Sequence, residues 1–85
     1  MNFSPEAVDR IHSREAFASF ARSLAQDVRE RPDTWENADL PSFLEAIAAW
    51  TEAMHGFYAN RGEPLPEQPD WRTFAQILAA ARIYE

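Results

Sequence analysis

Cysteine is missing from this 85-residue chain. Disulfides and thiolate-held metals are therefore excluded, and a small secreted scaffold stapled by disulfides loses its main support. Lysine is missing too: all eight basic residues are arginine, set against fourteen Asp and Glu, and the net charge is −6. The arginines are scattered, whereas phosphate binding by counterion release needs clustered cations, so nucleic acid is not an expected partner. Glycine occurs only at Gly56 and Gly62, too few for a loop that cradles phosphate. No apolar stretch nears the roughly 18 residues of a membrane span. The opening Met1-Asn2-Phe3-Ser4-Pro5-Glu6 has neither the basic start nor the apolar run of a secretory signal. These absences make the cytoplasm the expected location and leave no expected membrane contact.

Apolar material, by contrast, is plentiful. Of the residues 46% are hydrophobic, with three Trp, two Tyr and six Phe. Large aromatics bury much area per residue ordered, which suits a chain with room for a single core. One domain over residues 1–85 follows. Charge is uneven along it. Residues 1–32 balance five acids with five arginines, while residues 33–70 hold eight acids and only Arg61. An acidic middle of this kind complements a basic protein surface.

The apolar spacing is helical throughout, and no strand alternation or repeat is present. Ser4-Pro5-Glu6 reads as a cap, a proline in the first turn and an acid, starting a short helix over 5–11. Ser13 caps a second over 14–30, whose Phe17, Phe20, Ala21, Leu24 and Val28 share one face until Pro32 ends it. Pro41 opens a third over 41–60, where Phe43, Ile47, Trp50, Met54 and Phe57 recur at alternating steps of four and three. Three prolines between Pro64 and Pro69 make a stiff crossover. Asp70 caps a last helix over 70–84, with apolar cover on about half its girth, which places it at the centre of the core or against a second copy of the chain. The expected fold is an all-α bundle of three to four helices around Phe17, Phe20, Leu24, Phe43, Ile47, Trp50, Met54, Phe74 and Leu78.

Few residues suggest chemistry. Glu52-x-x-His55 has the spacing of di-iron bundles, but both side chains lie off the apolar stripe, so a solvated face is the favoured reading and no metal or cofactor is expected. Glu45 and Glu52 stack along one polar face, again most simply solvated. His12 ends a short helix, where a cation complements the dipole. Trp35-Glu36-Asn37 is either a recognition loop with an exposed Trp or a Trp folded onto the bundle beside a turn bond from its neighbours. Glu36 as a buried acid tied to Arg82 is a further alternative. Trp50, Phe57 and Trp71 read as core, and Tyr58 and Tyr84 as aromatics that keep a polar tip at the surface.

Trp35-Glu36-Asn37, Leu40 to Trp50, Met54 to Asn60, Trp71 to Ala75 and the closing Ala80 to Glu85 together resemble an uncharacterised bacterial family of small domains of unknown function. Its signature runs Trp-Glu-Asn, Phe-Leu-Glu-Ala, Trp, Gly-Tyr-Tyr, Trp and a terminal Tyr-Glu, and the similarity spans residues 11–85. Phe57 stands where the family has Tyr, and His55 where an acid is usual. The resemblance implies a stand-alone domain and brings no activity with it. The function expected is therefore non-enzymatic: an acidic protein-binding module, immunity- or antitoxin-like, that meets a basic partner through Trp35, Glu36, Asn37, Glu45, Glu52, Tyr58 and Tyr84. The alternatives are a small-molecule or weak enzymatic site around Glu36, Glu45, His55, Tyr58 and Asn60, and a homodimer through the last helix.

Overall fold

The computed structural model describes residues 3–85. It is all-α: α1 spans Pro5–Val8, α2 Arg14–Glu30, α3 Leu40–Asn60 and α4 Trp71–Ala81, with one short 3₁₀ turn at Pro32–Thr34 and no strand among the described residues. Each helix starts on a side-chain oxygen that takes a backbone N–H otherwise left without a partner. Ser4 accepts from Ala7 at 3.3 Å, Ser13 from Ala16 at 3.0 Å, Asp39 from Ser42 at 3.0 Å and Asp70 from Thr73 at 2.8 Å. Caps of this type each contribute about 1 kcal/mol. After α3 the chain turns at Gly62, whose φ of 70° is the left-handed conformation that glycine adopts without a Cβ penalty.

Two helices are shorter than their apolar patterns predict. α1 ends at Val8 rather than Ile11, because Asp9 turns inward to Arg61 and Gln76 while Val8 and Ile11 both bury in the core. α4 ends at Ala81 rather than near Tyr84. There the Asn37 side-chain amide donates to the carbonyls of Ala81 and Tyr84, and the Asn37 backbone N–H donates to that of Arg82. Those carbonyls are held from outside the helix, so the helix does not continue.

α4 is the central element. It packs against α1, α2 and α3, whereas the backbones of α2 and α3 stay apart. Part of the broad apolar cover of the last helix is therefore used within the chain, while part of it, at Trp71 and Phe74, stays exposed. The core joins Val8, Ile11, Phe20, Leu24, Trp35, Ala75 and Ala79, and Trp50, Tyr58 and Ala81 are buried as well. Of the nine core residues expected, Phe20, Leu24 and Trp50 are buried and Phe17, Phe43, Ile47, Met54 and Leu78 are half-buried. Phe74 is a correction: it is 41% exposed, and Trp71, also read as core, is 38% exposed. A helix flanked on three sides meets its neighbours through small residues, here Ala75, Ala79 and Ala81, because small side chains let backbones approach. The rings of Trp71 and Phe74 sit towards the start of α4, where they stack with each other and Trp71 meets Phe17 at 5.4 Å.

Candidate functional site

The Trp-Glu-Asn segment braces the fold. Trp35 is 8% exposed, and its indole Nε1 donates to Asp27 Oδ2 at 2.7 Å. The other oxygen of Asp27 takes Arg31 Nη2 at 2.8 Å and Nε at 3.1 Å. Bonds from Trp35 and then Arg31 to the charged form hold the Asp27 carboxyl below the usual carboxylate range, outweighing the opposing effect of burial. Of the two readings of Trp35, the ring folded onto the bundle is the one observed: it closes the core against Phe43, with centroids 5.6 Å apart. The buried acid beside it is Asp27 paired with Arg31, not Glu36 paired with Arg82, and Glu36 points to solvent. Asn37 is half-buried on the C-terminal strand of carbonyls, which fixes the position of Tyr84.

Tyr58 needs the second correction. It is 1% exposed, with no polar tip at the surface. Its hydroxyl donates to Gln76 Oε1, and Gln76 Nε2 donates to Asp9 Oδ1 at 3.0 Å. Asp9 pairs with Arg61, Arg61 Nε with Glu63 at 3.1 Å, and Glu63 with Arg72 at 3.3 Å. The chain of bonds ties α1, the end of α3, the crossover and α4 together. Burial pushes the Tyr58 phenol up. Burial also opposes ionisation of Asp9, but bonds from Arg61 and Gln76 prevail and its carboxyl lies below the usual range. Nothing in the sequence pattern marks this network, since Asp9 and Gln76 are 67 positions apart.

The remaining candidates converge only in part. Asn37, Glu45 and Tyr84 line one shallow hollow of about 230 Å³, together with Ser42 and Glu85. That hollow holds neither His55 nor Tyr58. Glu52, His55 and Asn60 are exposed on α3. Among the described residues no three of His, Asp and Glu gather closely enough to hold a metal ion.

Two larger hollows are open at the surface, each of about 320 Å³. The first lies between α2 and the start of α3, walled by Ala21, Leu24, Val28, Phe43 and Leu78 with Trp35 behind, and edged by Asp39 and Leu40. Leu40 is 68% exposed and Leu44, one turn on, 54%. Around this end of α3, Asp33, Glu36, Asp39 and Glu45 are exposed and form no ion pair among the described residues. The second hollow lies between α1, the C-terminal half of α3 and the end of α4. Phe3, Val8, Trp50, Phe57, Ala80 and Ile83 form its apolar wall, and Asp9, Arg61, Gln76 and Arg82 its polar lining.

Fold and site together define a small all-α domain with two hollows that each have an apolar wall, one of them edged by the unpaired carboxylate of Asp39. Residues 13–85 match the model of a family described as "Family of unknown function (DUF7660)", and the chain belongs to that family. No curated protein and no solved structure matches it. The hollow between α2 and α3 is built wholly from residues inside the matched span, whereas the second takes Phe3, Pro5, Val8 and Asp9 from before it. No helix of the described residues is long and apolar enough to cross a membrane.

Proposed function

We propose that this domain is a non-enzymatic, acidic protein-binding module that docks a basic, amphipathic segment of another protein in the hollow between α2 and α3. The observation that carries the reading is the joining of an open apolar hollow to the exposed Leu40 and Leu44 and to Asp39 at its edge, an exposed carboxylate with no cation of its own in a stretch of unpaired acids. Apolar surface supplies affinity, about 1.5–3 kcal/mol for each leucine fully covered. The carboxylates supply attraction at a distance and reject acidic partners, effects that weaken as salt shortens the screening length. An immunity- or antitoxin-like role, in which the module masks a basic toxin, is one concrete form. The cysteine-free composition suits the reducing bacterial cytoplasm, the setting we assign it.

The test is an amide-resolved NMR titration with a synthetic amphipathic helix of Leu and Lys, beside a counterpart with Glu for every Lys. Shifts are expected at Val28, Leu40 and Leu44 with the Lys peptide only, and affinity should fall as salt rises. Equal binding of both peptides, or an affinity indifferent to salt, contradicts the reading.

A further inference from the structure

We infer that the second hollow, between α1, the end of α3 and the end of α4, is a binding site for a small organic anion with an apolar body, of the class of a medium-chain carboxylate. The proposal goes beyond the protein-binding reading and concerns a different surface. At about 320 Å³ the hollow is at the lower end of the volumes that hold small ligands, enough for one acyl or aryl body. Trp50, Phe57, Ile83 and the ring of Phe3 give that body an apolar bed.

The charge of the lining selects an anion. The lining holds one carboxylate, Asp9, and two guanidiniums, Arg61 and Arg82. Asp9 is already engaged by Arg61 and by Gln76 Nε2, and Arg61 is further engaged by Glu63. Arg82 acts on Asp27 electrostatically but forms an ion pair with neither Asp27 nor Asp9. Its Nε donates to the Ala79 carbonyl at 3.1 Å, and its guanidinium lies over the Phe3 ring, 4.9 Å from the centroid. The two Nη groups carry no hydrogen bond or ion pair among the described residues. Stacking on an aromatic face holds a guanidinium in place while leaving its N–H edge to meet a carboxylate, the geometry in which arginine binds best. The chain's overall negative charge opposes an anion only weakly, because its exposed acids are screened over about 8 Å at physiological salt.

The experiment is an NMR titration of the full chain with octanoate, octanol and octylammonium. Octanoate is expected to bind saturably with shifts at Val8, Trp50 and Ile83, and about tenfold more tightly than octanol, the size of one charge-assisted bond. Arg82→Gln should remove that advantage while octanol still binds, which shows that fold and hollow survive. Arg82→Lys should restore part of it. Ala80→Phe, which fills the hollow without touching the guanidinium, should abolish binding of both. The proposal is overturned if octanoate binds no better than octanol, if octylammonium binds best, if Arg82→Gln or Ala80→Phe leaves octanoate affinity unchanged, or if the shifts fall in the α2–α3 hollow.

Discussion

The two hollows have the same volume and each has an apolar wall, yet they differ in the charged groups that line them. At the α2–α3 hollow the one charged group of the lining is Asp39, an exposed acid without a cation beside Leu40. At the other, charges are mostly paired inside a network, and only Arg82 is left over. Shape alone therefore does not assign either surface. What distinguishes them is the charge that remains after internal pairing, and it points to a basic segment on one side and a small anion on the other.

The largest effect expected on this contrast comes from Trp35, which backs only the acidic hollow. Trp35→Ala removes a buried aromatic and leaves Asp27 Oδ2 without its donor, and should destabilise the domain by roughly 3–5 kcal/mol in a denaturant titration. That is a large share of the roughly 5–15 kcal/mol typical of small domains. A loss under about 1 kcal/mol would mean that the ring is not part of the core. Asn37→Ala comes next. It leaves the Ala81 and Tyr84 carbonyls without their donor, at an expected cost of about 1–3 kcal/mol. Amide exchange should then quicken through residues 82–85 and leave α2 protected.

These two residues also mark where sequence reasoning stopped. The four helix starts were legible because a cap and its N–H lie three positions apart, as at Ser13 and Ala16. A Trp35 folded onto the bundle was legible as well, but the partners of Trp35 and Asn37 were not, because they lie 8, 44 and 47 positions away and no local pattern names them. Ala75 and Ala81 fall on the apolar stripe of the last helix, but the weight that apolar periodicity gives to large side chains put Phe74 and Leu78 ahead of them and missed Ala79, whereas close helix contacts select small ones. The acidic middle was plain from composition. That it borders a hollow became visible only once α4 had separated α2 from α3.

Acid should act on both halves of the comparison in the same direction. Asp27 and Asp9 each have a folded pKa below the usual carboxylate value, so each binds a proton more readily when unfolded. Their contribution is complete above the unfolded pKa of about 3.9 and is lost as pH falls through the folded value. Thermal unfolding of Asp27→Asn and Asp9→Asn should each show a shallower loss of stability below about pH 4 than the parent chain. An unchanged slope would show that the pairs with Trp35, Arg31 and Arg61 do not form in solution.

The smallest effect on stability is expected at the rim. Leu40→Ser with Leu44→Ser should shift it by less than about 0.5 kcal/mol per site, since both side chains are exposed. Affinity for the Lys peptide should nonetheless fall by tenfold or more, read by the same NMR titration.

One experiment confronts the central contrast directly: a titration of a single sample first with the Leu–Lys peptide and then with octanoate, following every amide. The account predicts two separate sets of shifts, the first around Leu40 and Val28 and weakened by salt, the second around Trp50 and Ile83 and unchanged by the bound peptide. If both probes move the same amides, or if octanoate displaces the peptide, the two hollows are not distinguished by their residual charge and the account is contradicted.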